Sequence, residues 1–238
     1  MTADDPNVAQ VELVAHALGK LRDELVFVGG CATGLLCTSP KAPPPRITYD
    51  VDVIAEVAAL AGYHALERKF AKLGFKRDMA PEAPICRWRI GESNSVEVDL
   101  MPTDETILGF SNRWYPEAIR SAQPLQLPSG TTIRLISAPA FLATKLEAFA
   151  TRGRSDLMGS HDLEDIINVL DGRPGIEDEI AAVDNALGAY LAERFSTLVS
   201  RPDFDNSLPG LIEYDDLYDE RIHSVRNRAR RIAALKSD

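Results

Sequence analysis

Long apolar runs are absent from this 238-residue chain. No stretch approaches the roughly 18 residues of a membrane span, and the N-terminal MTADDPNVAQ is acidic where a secretory leader is basic and then apolar. The expectation is a cytoplasmic protein with no membrane partner. Cysteine is scarce: Cys31, Cys37 and Cys86 make an odd count, the first two stand too far apart for a zinc knuckle, and no matching Cys/His pair follows. They read as small core residues in reduced form. Positive charge is also in short supply. Lys and Arg number 26 against 36 Asp and Glu, a formal charge of −10, which argues against a surface coated for nucleic-acid binding. Internal repeats and low-complexity tracts are missing. At 45% hydrophobic and 26% charged, the composition is that of a globular protein of one large or two modest domains.

The charge that is present lies unevenly. Residues 1–135 carry 14 bases and 17 acids, residues 136–238 carry 12 and 19. Six bases without an acid run from Arg221 to Ser237 (Arg221, Arg226, Arg228, Arg230, Arg231, Lys236), just after Asp215, Asp216, Asp219 and Glu220. One reading is a helix with acids in its first turn and bases in its last, matching the macrodipole; the other is a basic docking strip. The first is preferred.

Apolar residues at helical spacing from Val8 to Leu21 predict a helix, LVFVGG a short buried strand ended by two glycines, and a helix is expected from Cys31. TSPKAPPPR must be loop, because Pro fixes φ, lacks an N–H and biases its predecessor away from the helical region. The strand RITYDVDVIAE follows, then a helix from Tyr63 to Leu73, strands ICRWRIG and SVEVDLMP around a turn at Glu92–Ser95, and the strand IRLISAP. Beyond Pro139 the pattern is helical, through PAFLATKLEAFATRG, SHDLEDIINVLDGR, PGIEDEIAAVDNALGAYLAERFSTLVS and YDDLYDERIHSVRNRARRIAALK. The predicted class is α+β, with a mixed sheet flanked by helices over residues 1–138, a helical domain over 139–238, and a cleft between them.

Asp is a poor strand former, so Asp50 and Asp52 alternating with Val51 and Val53 require a reason. Side chains at i and i+2 share a strand face, so both carboxylates point one way. Asp99 and Glu97 repeat the pattern in SVEVDLM. If the two strands pair, three or four carboxylates converge, with no opposing side-chain charge evident. Hard oxygen ligands of this kind suit Mg²⁺ or Mn²⁺, and paired ions of that type serve in-line displacement at phosphorus. The alternative is two amphipathic strands whose acids face water. Upstream, FVGGCATGLL is strand, Gly-Gly, helix, a turn that presents backbone N–H groups to a phosphate. It is neither a Walker loop nor a GxGxxG fingerprint.

In these residues the chain resembles the nucleotidyltransferase superfamily related to DNA polymerase β, and within it the AbiEii-type abortive-infection toxins. The resemblance rests on Val28-Gly29-Gly30, a helix, Asp50-x-Asp52 preceded by Arg46-x-Thr48, a third carboxylate at Asp99, and KLEAFATRGRSDLMGSHDLEDI with Lys145, Arg152, Asp162 and Asp165. It spans Phe27 to Ile167. Two departures stand out: Gly30 replaces the usual phosphate-binding Ser, leaving that task to backbone N–H groups or to Thr33, and the Pro-rich insertion lengthens the spacing from glycines to Asp50.

The resemblance implies that Asp50, Asp52 and Asp99 hold Mg²⁺ or Mn²⁺, and that Asp99, or else Glu97, helps deprotonate an acceptor hydroxyl attacking the α-phosphorus. Lys145 and Asp162 join the catalytic set. Lys145 stabilises charge on the β- and γ-phosphates; the alternative is a helical Lys that is simply solvated. Gly29, Gly30, Thr33, Arg46, Thr48 and Asp165 are expected on the nucleotide side. Asp162 and Asp165 share a helix face, with Ser160 as N-cap. The loop GFSNRWYP offers Phe110, Trp114 and Tyr115 as a stacking face for a base, with Asn112 or Arg113 reading its edge; Trp114 is otherwise a packing residue. The implied partners are an NTP, an acceptor RNA 3′ end (tRNA among the candidates) or a protein hydroxyl, and a cognate antitoxin. Two further readings stay open: a catalytically silent nucleotidyltransferase-fold binding protein, and a kinase-like phosphoryl transferase.

Overall fold

The computed structural model describes residues 5–57, 59–152 and 156–235. Residues 153–155 of the Lys145–Asp165 motif and Lys236 of the basic run lie outside the described residues. The helices are α1 (Val8–Leu18), α2 (Thr33–Leu36), α3 (Leu60–Lys72), α4 (Glu105–Leu108), α5 (Tyr115–Arg120), α6 (Ala138–Arg152), α7 (His161–Gly172), α8 (Ile176–Ala181), α9 (Asn185–Val199), α10 (Phe204–Leu211) and α11 (Tyr218–Ala233). The strands are β1 (Leu25–Val28), β2 (Asp50–Ala55), β3 (Lys76–Arg77), β4 (Arg87–Ile90), β5 (Val96–Pro102), β6 (Gln123–Gln126) and β7 (Thr132–Leu135). They group into two compact units: Pro6–Ala32 with Arg46–Ser137, and Asp5 with 33–45 and 138–235.

The first unit carries a mixed seven-stranded sheet in the order β3-β4-β5-β2-β1-β7-β6. β2 runs parallel to β5 and β1 to β7, and the remaining neighbours are antiparallel. Alternation gives the two central strands one apolar face, on which Val51, Val53, Val98 and Leu100 are wholly buried. Against it the Tyr63 hydroxyl of α3 donates to the Leu100 carbonyl at 2.9 Å, and burial pushes that hydroxyl's pKa up. Phe70 meets Phe75 and Trp88 at ring separations of 4.7 and 5.7 Å. The strands missing from the sequence reading are short: β3 has two residues, and β6 contains Pro124, which is tolerated because β6 is an edge strand.

In the helical unit, Ser160 caps α7 as expected, its hydroxyl oxygen accepting from the Leu163 N–H at 3.3 Å. The long predicted helix after Pro174 is two helices, because the Asp184 side chain accepts from the Leu187 N–H at 3.0 Å and starts α9 afresh. α10 was unforeseen because it contains Pro209 and Gly210. Residues 33–45 are tied down by Arg173, which donates to the Leu36 carbonyl at 2.6 Å, and by the Thr38 and Ser39 N–H groups, which both donate to the Gly172 carbonyl at 2.9 Å.

Four arginines of the basic run, Arg221, Arg226, Arg228 and Arg230, are paired within the unit. α11 has Asp219 and Glu220 in its first turn and Arg230 and Arg231 in its last, as the macrodipole reading requires. Arg226 and Arg230 share Asp205 at 3.1 and 2.7 Å, and Arg228 donates to the Leu170 and Asp171 carbonyls at the end of α7. Arg221 pairs with Asp171 and Asp215 and donates to the Lys41 carbonyl. A docking strip is not what these arginines form. No helix among the described residues is long and apolar enough to cross a membrane.

Two predictions follow from this packing. The Arg221 and Asp171 side chains are each 8% exposed, and burial raises the Asp171 carboxyl pKa against the pull of Arg221. Arg221→Ala strands that carboxylate, so urea denaturation at neutral pH should show a loss of about 3–5 kcal/mol. All three cysteines are buried free thiols; burial pushes Cys37 up to about 11 and Cys86 up to about 12. At pH 8 roughly one Cys37 in a thousand is thiolate, so native protein should resist iodoacetamide and label at all three positions only in denaturant, as read by mass spectrometry.

Candidate active site

Parallel pairing of β2 with β5 sets Asp50 beside Glu97 and Asp52 beside Asp99. All four carboxylates therefore lie on the face opposite the valines. One oxygen from each of Asp50, Asp52 and Asp99 lies within 4.8 Å of the others. Asp50 and Asp52 are half-buried and Asp99 is buried. Burial and then the charge of Asp99 raise the Asp50 pKa, with Arg87 opposing. The donor set is wholly hard carboxylate oxygen, at a spacing that one or two divalent ions bridge, so these residues fit Mg²⁺ or Mn²⁺.

The cluster is not without a counter-charge, which corrects the sequence expectation. Arg87 on β4 faces Asp99 across the antiparallel ladder, and Arg89 faces Glu97. Arg87 donates through Nε to Asp99 Oδ1 at 2.9 Å, and through Nη2 to Asp99 Oδ2 at 2.8 Å and Asp50 Oδ2 at 3.1 Å. Its Nη1 donates to Glu97 Oε2 at 2.6 Å. Glu97 is held from its other oxygen by Arg89 at 2.6 Å, and Arg89 in turn by Asp78 at 2.7 Å. The bond to Asp99 is the chief cause of the rise in the Arg87 pKa. The available signal was RWRI, two arginines on one strand face, readable only once the hairpin register is known.

Val28 pairs with Asp52, so Gly29 leaves β1 directly beside that carboxylate. Gly29 has φ +73°, and a Cβ there would overlap Asp52 Oδ2. Glycine is thus required twice, by the backbone and by the close approach. Gly30 is buried at the start of a 3-10 turn, Gly30–Ala32, which α2 (Thr33–Leu36) follows without a break, so a short helical stretch stands where a helix was expected from Cys31. Thr33 is fully buried, and its hydroxyl has no hydrogen-bond partner among the described residues.

The approach to Asp50 is held by two residues that the sequence reading passed over. Asn7 donates through Nδ2 to the Arg46 carbonyl at 3.0 Å and accepts from the Thr48 N–H at 2.9 Å. Gln10 donates to the Thr48 carbonyl at 3.0 Å and to its hydroxyl oxygen at 3.1 Å. The Thr48 hydroxyl donates onward to the Asp50 carbonyl at 3.3 Å. The Arg46-x-Thr48 segment therefore positions β2 by its backbone and by one buried hydroxyl.

The helical unit contains a second constellation. Lys145 Nζ lies 2.6 Å from Asp165 Oδ2 and 3.3 Å from Asp162 Oδ1, and Arg152 reaches Asp162 Oδ2 at 3.1 Å. Lys145 is buried, not a solvated helical Lys, and Asp165 is 0% exposed. Asp162 and Asp165 share one face of α7, turned to the same ammonium. In the loop after β5, Asn112 Oδ1 accepts from the Trp114 N–H at 3.0 Å, and the exposed Arg113 guanidinium lies 5.4 Å from the Trp114 ring. Asn112 shapes the loop, and Arg113 is exposed.

The family model described as nucleotidyl transferase AbiEii toxin, type IV TA system, matches residues 12–231. No curated protein matches the chain. Among solved structures, an antigenic nucleotidyltransferase-like protein from Paracoccidioides brasiliensis is similar at a TM-score of 0.52 and 22% identity, over 90% of this chain and 96% of that one. The JHP933 protein of Helicobacter pylori is similar at a TM-score of 0.49 and 13% identity, over 96% and 92%.

The Gly29 geometry is directly testable. Gly29→Ala places a side chain at positive φ and pushes the Asp52 carboxylate away. Thermal unfolding in chelator should show a loss of about 2–3 kcal/mol, and calorimetry a roughly 10- to 100-fold weaker Mn²⁺ affinity.

Proposed function

Because the chain belongs to the AbiEii nucleotidyltransferase toxin family of type IV toxin–antitoxin systems, we propose that it transfers a nucleoside monophosphate from an NTP to an acceptor hydroxyl, on an RNA 3′ end or a protein, as the toxin of a toxin–antitoxin or phage-defence module. The observation that carries this reading is the convergence of Asp50, Asp52 and Asp99 within 4.8 Å on one sheet face. An ornamental acidic surface would not bring strand aspartates together at half-buried positions beside a glycine at which a Cβ would overlap the Asp52 carboxylate.

Asp50, Asp52 and Asp99 would hold Mg²⁺ or Mn²⁺. The bound ion supplies charge neutralisation of the triphosphate and Lewis-acid polarisation at phosphorus. The backbone N–H groups after Gly29 receive a phosphate oxygen; as the acceptor hydroxyl bonds to the α-phosphorus its proton passes to a carboxylate of the cluster, Asp99 in this proposal, and the bond to the β-phosphate breaks to release pyrophosphate. Lys145, fixed by Asp162 and Asp165, keeps the phosphate role implied by the family. Arg113, exposed in its loop, would read the edge of the base. The family further implies a cognate antitoxin.

The test is incubation of the protein with each labelled NTP, Mg²⁺ and a total RNA and protein extract. Label should move to one class of acceptor, require the divalent ion, and fall by about 10²- to 10³-fold in Asp52→Asn, which keeps the side-chain size but removes a ligand charge. A fully active Asp52→Asn protein would reduce β2 to an ordinary strand.

A further inference from the structure

We propose that Arg87 is the resident cation of the carboxylate cluster: its guanidinium holds Asp50 and Asp99 until a divalent ion arrives together with a nucleotide, then releases them and pairs with the nucleotide's phosphates. This rests on the metal-site reading above and adds to it an order of binding, in which free metal binds weakly and nucleotide makes it bind well.

Arg87 takes oxygens from the residues that would hold an ion, and whichever oxygen Asp99 would offer is already bonded to it. Its fork occupies Asp50 Oδ2 and both oxygens of Asp99 at 2.8–3.1 Å, two members of the three-carboxylate set. A planar guanidinium matches carboxylate geometry better than any other side chain and forms short, charge-assisted bonds with it. It also stays charged, since pairing with Asp99 pushes its pKa further up. The positive charge therefore leaves the cluster only by moving, and a divalent ion entering beside it meets like charge at close range. A triphosphate changes that balance by bringing anionic oxygens to which the guanidinium is equally suited.

Structure on the far side of Arg87 limits the movement. Nη1 is bonded to Glu97 Oε2 at 2.6 Å, and Glu97 is anchored through Arg89 to Asp78. Glu97 is outside the three-carboxylate set, so Arg87 keeps one partner while the other bonds exchange. The Arg87 side chain is 18% exposed, which leaves it an edge on solvent from which to turn.

Calorimetry on the full chain distinguishes the cases, with Mn²⁺ titrated alone and in the presence of a non-hydrolysable NTP analogue. Wild-type protein should bind free Mn²⁺ weakly and gain at least about tenfold when the analogue is present. Arg87→Gln should bind free Mn²⁺ at least about tenfold more tightly than wild type and lose most of that gain, whereas Arg87→Lys, which keeps the charge, should stay near wild type for free Mn²⁺. Should Arg87→Gln fail to fold, the wild-type protein still answers: the Arg87 Nε–H resonance, assigned by its loss in Arg87→Lys, should shift on adding Mg²⁺ with the analogue and stay put with Mg²⁺ alone. Equal free-Mn²⁺ affinity in wild type and Arg87→Gln, or an Nε–H signal indifferent to nucleotide, overturns the role of Arg87 and leaves the metal site standing. No divalent binding by any form, with or without nucleotide, overturns the metal-site reading itself and this inference with it.

Discussion

The parallel register of β2 on β5 is the constraint to which the rest of the sheet unit answers. It stacks Val51 on Val98 and Val53 on Leu100 on one face, and Asp50 on Glu97 and Asp52 on Asp99 on the other. A slip by one residue would send valines to the polar face and carboxylates into the core, so burial of the apolar face enforces the acidic one. The acidic face is costly in the absence of cations. Arg87 and Arg89 offset that cost from the neighbouring strand, and Gly29 makes room for the Asp52 carboxylate at the end of β1.

These supports differ in kind. Arg87 and Arg89 work through charge, in a chain of alternating sign from Asp78 to Asp50. Gly29 works by absence of volume. Asn7 and Gln10 work through the backbone, satisfying the Arg46 and Thr48 carbonyls that an irregular segment would otherwise leave unpaired. The Pro-rich stretch before Asp50 cannot supply such bonds from within itself, because prolines donate none. The N-cap and first turn of α1 perform that function from about forty residues upstream.

Much of the architecture was legible because it rests on local rules. Alternation placed Asp50, Asp52, Glu97 and Asp99 on single strand faces, the Gly-Gly pair marked the end of β1, and Ser160 marked the start of α7. Arg87 escaped because its meaning depends on the register of a hairpin whose turn contains Ser93 at φ 54° and Gly91 at φ 94°, a geometry that no residue spacing announces. Asn7 and Gln10 escaped because their partners lie about forty positions away. The burial of Lys145, which sets aside the solvated alternative, was not readable from spacing because burial is a tertiary property: α6 is buried along most of its length, and periodicity shows no exposed side.

The two charged constellations illustrate how burial separates a fixed ion pair from an exchangeable one. The Lys145 and Asp165 side chains are 11% and 0% exposed, so parting them would strand a charge in a medium that solvates it poorly, and the pair persists whatever binds nearby. The Asp50 side chain, by contrast, is 35% exposed, and water or an incoming cation can take over its half of the interaction with Arg87 at small cost. The same chemistry, a base among carboxylates, thus does opposite work in the two places: around Lys145 it fixes the position of an ammonium, and around Arg87 it keeps a set of oxygens assembled yet available.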